Sequence, residues 1–188
     1  MKLKSLLACL LLFLATTGTA WADKYSEAKS IFQNAGESSG FFNNAYGYAL
    51  FPTIGKAGLV IGGAHGEGRV YKGGKYVGDS TVTQVSVGFQ LGGQAYSQIV
   101  FFQDKRAFDE FTSGDFEFGA GVGAVAITAA ANANATTTGN TAGASGGSRN
   151  ADTVSGGYHK GMAVFTVAKG GLMYEASVSG QKFTYTSR

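Results

Sequence analysis

Apolar and polar positions along this chain fall into three kinds of pattern, and each predicts a different element. From Val85 to Leu91 they alternate with period two, as in a half-buried antiparallel strand. Val70 to Val77 sets Gly73-Gly74 between two short β-prone arms, which predicts a tight hairpin. Met162–Ala168 and Leu172–Ser179 flank Lys169-Gly170-Gly171 as a second hairpin, and Gly58–Ala64, Gln94–Phe102 and Phe116–Thr128 complete the strands. Helical spacing is confined to two segments. Asp23 to Ala35 places Tyr25, Ala28, Ile31, Phe32 and Ala35 on one face, with Gly36 as a stop and a further weak turn at Phe41 and Phe42. Asp104 to Phe111 turns Ala107, Phe108 and Phe111 one way, with Asp104 as N-cap and Gly114 as terminator. The fold class expected is mainly β (α+β): antiparallel sheets or a barrel-like β-structure with an N-terminal amphipathic helix and one short inserted helix.

The third pattern is an unbroken apolar run, Leu6 to Ala15, behind the basic leader Met1 to Ser5 and before Ala20-Trp21-Ala22. The run is about half of the roughly 20 residues that cross a bilayer as a helix. It reads as a signal peptide over residues 1–22, cut after Ala22. Cys9 comes too early in the run for a lipobox, which closes such a segment. Export to the periplasm or cell envelope, or secretion, is therefore expected, with residues 23–188 as a single domain. Cleavage removes Cys9, the single cysteine, which excludes disulfides, thiol catalysis and Cys-ligated metal from the remainder.

Composition changes the picture in two places. Thirty glycines against one proline suit short strands and tight turns better than long helices. Between Ala129 and Gly147 only Ala, Asn, Thr, Gly and Ser occur, so residues 129–150 are expected to form a flexible low-complexity loop within the domain. Loss of Lys2 and Lys4 lowers the formal charge from +3 to about +1, too little for bulk attraction to nucleic acid.

Catalytic patterns are missing from the sequence. It contains no Gly-Lys-Ser/Thr P-loop, and His65 and His159 lack metal-ligand spacing. No catalytic residue, metal or cofactor is assigned. The glycine-rich Gly62–Gly68 stretch reads as a bend or bulge in a sheet. One local charge pattern remains. If hairpin 70–77 folds back over the loop at Lys56, then Lys56, Arg69, Lys72 and Lys75 make a basic patch beside Tyr71 and Tyr76. Such cations contribute about 1 kcal/mol each near anionic lipid. The Ile31 and Phe32 stripe would either insert beside them or face the core.

These residues also carry a family resemblance. Phe51-Pro52-Thr53-Ile54-Gly55-Lys56-Ala57-Gly58, the Gly62–Gly68 turn with Arg69, and the block from Gly88 to Ser97 followed by Phe108 and Phe111 resemble a SYLF domain. Lys160-Gly161-Met162 and Glu175-Ala176 fit its closing strands. The resemblance runs from about Tyr25 to Phe183. It implies a lipid-binding module, since eukaryotic relatives bind phosphoinositides through an N-terminal amphipathic helix and some fungal ones bind actin. An export signal argues against actin and cytosolic phosphoinositides here. The expectation is thus a non-catalytic, peripheral binder of anionic or amphipathic membrane lipid at an envelope membrane. Two alternatives stand beside it: a small transmembrane β-barrel of the outer membrane, and a structural envelope protein without ligand.

Overall fold

Pro52 sits in the middle of a central strand, and the sheet accommodates it with a bulge. The structure, a computed structural model, describes residues 17–58, 61–87, 94–119, 124–127, 157–169 and 180–188. Strand β1 (Gly47–Gly58) pairs on one side with β2 (Ile61–Lys72) and on the other with β4 (Gln94–Phe102). Its register slips on both sides between residues 50 and 54. A proline has no N–H to donate to a ladder, so a central strand tolerates it only where pairing is interrupted. The carbonyl of Pro52 accepts a hydrogen bond from the buried Ser97 hydroxyl at 2.7 Å.

β3 (Lys75–Val87), β5 (Asp115–Glu117), β6 (Val125–Ile127), β7 (Met162–Lys169) and β8 (Gln181–Ser187) complete an eight-stranded sheet. Its order is β5-β8-β3-β2-β1-β4-β7-β6, antiparallel except for the β6–β7 pair. Helices α1 (Thr17–Asn34), α2 (Gly36–Ser39) and α3 (Phe41–Asn44) precede the sheet, and α4 (Lys105–Phe111) follows β4. The mainly β, antiparallel expectation holds, as do the Gly73-Gly74 hairpin, the 94–102 strand and the capped helix near 104. Asp104 accepts a hydrogen bond from the Ala107 N–H at 2.9 Å. Gly114 follows at φ +123°, a conformation that favours glycine.

The sheet is strongly curled. β4 and β8 lie four strands apart in the order, about 19 Å across a flat sheet. Yet the Gln98 Nε2 donates to Gln181 Oε1 at 2.9 Å, and the rings of Phe51 on β1 and Phe183 on β8 are 5.5 Å apart. The concave face therefore meets itself, and α4 adds Ala107, Phe108 and Phe111 to that core. The convex face is covered on β1, β4 and β7 by α1, whose Tyr25, Ala28 and Phe32 stripe, with Ala35 just beyond its end, packs with Leu50, Ile99, Phe101 and Phe165. On β2, β3 and β8 the convex face carries exposed His65, Glu67, Thr83, Lys182 and Thr184.

Several expectations are corrected. The 58–64 strand straddles a strand end, because Gly58 closes β1 and Ile61 opens β2 across the Gly58↔Gly62 pair. Gly62–Gly68 is not a bend but regular strand within β2. Its concave positions are small because neighbours from β1 lie over them: a Cβ on Gly66 would meet Ile54 at 2.7 Å, and one on Gly68 would meet Phe51 at 2.5 Å. The 116–128 strand divides into β5 and β6. Along β3 Gly78, Ser80, Val82 and Gln84 are buried while Val85 is 71% exposed, so Val85 faces outward, and Gly88 to Leu91 of the expected 85–91 strand lie outside the described residues. The 129–150 loop and the Leu172–Ser179 arm lie outside the described residues.

Gly68 offers a direct test of the interlock. Gly68→Ala should destabilise by about 1–3 kcal/mol through overpacking, seen as a melting temperature several degrees lower. Gly63→Ala should be near neutral, because its Cβ would approach nothing closer than the Gln84 carbonyl oxygen at 3.7 Å.

Candidate functional site

The β2–β3 hairpin ends in a two-residue turn at Gly73 and Gly74, both with positive φ, and the cations collect around it. Lys72 and Lys75 are cross-strand partners at the tip. Lys72 reaches over the rings of Tyr46 and Phe108, at 5.2 and 5.7 Å from their centroids. Arg69 lies on the convex face just behind the tip. Its guanidinium carbon stands 4.2 Å from the Tyr25 ring of α1 and 4.9 Å from the Tyr76 ring of β3. The structure thus brings Arg69, Lys72 and Lys75 to one end of the sheet.

Lys56 does not join them. It pairs with Ala64, eight residues along β2 from Lys72, or about 26 Å of strand. The hairpin runs straight on from β2 instead of folding back over residue 56. Arg188, which the charge pattern alone did not single out, takes the fourth place. It follows β8, its backbone N–H donates to the Val77 carbonyl at 3.1 Å, and its guanidinium carbon stands 4.9 Å from the Tyr76 centroid. The acids nearby are largely committed. Asp109 pairs with Lys105 and Glu110 with Arg106 along α4, and Asp79 accepts from the Tyr76 hydroxyl at 2.7 Å.

A row of tyrosines crosses the convex face behind the tip. Tyr48, Tyr71 and Tyr76 are in-register neighbours on β1, β2 and β3, and Tyr48 stacks on Tyr71 with centroids 4.8 Å apart. Burial pushes the Tyr25 and Tyr48 hydroxyls up to about 12, with Arg69 opposing the shift at Tyr25. Tyrosines of the unfolded chain ionise near 10. Above that pH the unfolded state holds fewer protons than the folded one, so stability is full below about 10 and is lost as pH rises toward 12. Denaturant midpoints measured across that window should fall steadily.

The Ile31 and Phe32 stripe belongs to the core. Phe32 is fully buried beneath α1 and Ile31 is half-buried against the same cluster. In the folded protein, then, Phe32 is not presented to a membrane. His65, beside Thr83 on the convex face, and His159, bridged to Met162 near the hairpin end, are well apart.

Sequence reasoning missed a polar cluster inside the curl. Gln98 and Gln181 are completely buried and exchange amide hydrogen bonds at 2.9 and 3.1 Å. The Gln181 Nε2 also lies 3.1 Å from the Tyr96 hydroxyl and 3.4 Å from Gln84 Oε1. Burial holds the Tyr96 hydroxyl near 12, against the opposing hydrogen bond from Gln181. The signal was present in Gln98, a lone amide within the apolar run Tyr96–Phe102. Its neighbours make this a fastening between β4 and β8, with no group poised for bond-breaking chemistry.

The chain is similar to beta cell expansion factor A of Aeromonas veronii, with 27% identity over 145 residues, or 76% of this chain and 46% of the relative. It therefore spans about half the length of the curated relative it matches. A family model described as Ysc84, Las17-binding protein actin regulator, matches residues 83–187, from the middle of β3 through β8. That match takes in more than half of the chain and includes the SYLF block, so the protein belongs to the Ysc84 family of SYLF-domain proteins.

Proposed function

We propose that this protein is an exported, non-catalytic module that docks on anionic membrane lipid through the hairpin end of its sheet. The observation that carries this reading is the gathering of Arg69, Lys72, Lys75 and Arg188 at one end, with Tyr46, Tyr71 and Tyr76 among them. Cations near an anionic surface contribute about 1 kcal/mol each, and tyrosine favours the interface between headgroup and water. The description of the family names Las17 binding and actin regulation. An exported chain meets membrane in place of actin, and the same basic, aromatic end serves that encounter. The leader residues support an envelope location.

Among the described residues no helix is long and apolar enough to cross a membrane. A strand-built membrane span needs an apolar outer band, whereas the convex face here carries His65, Glu67, Thr83, Lys182 and Thr184 and is elsewhere roofed by α1. The polar convex face favours peripheral attachment.

Vesicle sedimentation tests the reading. The triple change Arg69→Gln, Lys72→Gln and Lys75→Gln should weaken binding to anionic vesicles roughly 100-fold, from about 3 kcal/mol of lost attraction. Lys56→Gln should bind as the parent does, because that residue stands at the far end of the strand. Parent binding should also weaken as salt rises, since the screening length at physiological ionic strength is about 8 Å. Parent-level sedimentation by the triple variant, with an unchanged circular dichroism spectrum, would remove the hairpin end from consideration.

A further inference from the structure

We propose that the N-terminal helix completes the basic end of the sheet: Tyr25 of α1 is a positioning residue for Arg69, so docking of α1 and binding at the hairpin end form one coupled equilibrium. This inference rests on the membrane reading above and concerns how that site is regulated. Arg69, on β2, is held by rings from two other elements. Its guanidinium carbon stands 4.2 Å from the centroid of Tyr25 on α1 and 4.9 Å from that of Tyr76 on β3. Its charge also opposes the rise that burial imposes on the Tyr25 and Tyr71 hydroxyls.

Both rings are themselves fixed. The Tyr76 hydroxyl donates to Asp79 Oδ1 at 2.7 Å. Tyr25 is buried in the cluster that holds Ala28 and Phe32, so the place of its ring is set by the seating of α1 on the sheet. Asp79 is the register partner of Arg69, yet among the described residues no ion pair joins the two. The guanidinium is thus oriented by aromatic faces, which leave its N–H edges for an oxyanion.

An arginine loose on a strand surface gives up rotamer freedom when it meets a ligand, whereas one already held against a ring has given it up beforehand. Lys24 deepens the dependence on α1. Its Nζ stands 5.3 Å from the same Tyr25 ring, so the helix brings a cation of its own to this place. Undocking α1 withdraws the ring and Lys24 together. By linkage, whatever affinity the docked helix adds at the hairpin end, an occupied hairpin end returns to the helix as added stability.

Vesicles of phosphatidylcholine and phosphatidylglycerol test the coupling. Tyr25→Leu, which keeps an apolar side chain but no ring, should weaken binding about fivefold, the cost of immobilising one arginine side chain on contact. Tyr25→Phe should bind as the parent does, because the ring and not the hydroxyl holds Arg69. In an Arg69→Gln background Tyr25→Leu should weaken binding no further, since residues that act as one unit are not additive. A second measurement needs no substitution. With vesicles at saturation, the backbone amides of residues 23–34 in the parent should exchange with solvent deuterium about fivefold more slowly, or slower still. Arg69→Gln should show a smaller slowing. Should Tyr25→Leu fail to fold, the exchange measurement decides alone. Parent-level binding by a folded Tyr25→Leu, or additive losses in the double variant, overturns the positioning role and leaves the membrane reading standing. Unchanged or faster exchange of residues 23–34 on vesicles overturns the coupling. A parent that binds no vesicles overturns both proposals.

Discussion

Phe32→Ser should lower the melting temperature by roughly 10 °C. Phe32 is fully buried between α1 and the convex face of the sheet, among Leu50, Ile99, Phe101 and Phe165. Truncating such a ring costs about 3–5 kcal/mol in lost transfer energy and cavity formation. In a domain of this size each kcal/mol is worth about 2–4 °C. Ile31→Ser, at a half-buried position on the rim of the same cluster, should cost less than half as much. Thermal melts followed by circular dichroism separate the core role from membrane insertion: an unchanged melting temperature with lost vesicle binding would assign the helix face to the bilayer.

The second large effect lies inside the curl. Gln181→Leu should destabilise by about 2–3 kcal/mol, because it strips Gln98 of its amide partner in a site without water access and leaves that group unsatisfied. Gln98→Leu should cost less, since Gln181 keeps contacts with Tyr96 and Gln84. The double variant should be more stable than the two single losses added together, with a coupling energy of about 0.5–3 kcal/mol. Denaturant titration of the four proteins gives the cycle, and strictly additive losses would mean that the two amides do not act as a pair.

Where local chemistry decides structure, the chain was readable. Asp104 has a short side chain three residues before an amide it can cap, and Gly73-Gly74 supplies the positive φ that a two-residue turn needs. The stripe Tyr25, Ala28 and Phe32 can bury only one helix face. What was not readable depended on neighbours in space. The run Tyr48–Phe51 is buried on both faces, as befits a central strand, but it is missing from the expected strands, because its burial on both faces removes the period-two alternation and Pro52 interrupts it. The glycines of β2 imitate a bend or bulge until Phe51 and Ile54 of β1 are seen lying across them. Gln84 and Gln181 look like outward-facing polar residues until the curl brings β8 to β4. The basic patch was legible in three of its members. Lys56 was grouped with them because spacing along the chain does not reveal that a strand carries its ends far apart, and Arg188 was overlooked because its partners are distant in sequence.

The amide pair that fastens the curl joins residues 83 positions apart. A chain cannot close such a contact early, because the entropy of a long loop must be met before any reward arrives. β1, β2 and β3 can zip together as soon as they exist, yet their concave face stays open until β8, far along the sequence, lies down beside β3. Folding should therefore be slow, in the millisecond-to-second range of sheet proteins rich in distant contacts. Under the export proposed above that delay would be useful, because a chain whose sheet has not yet closed remains extended enough to pass a secretion channel.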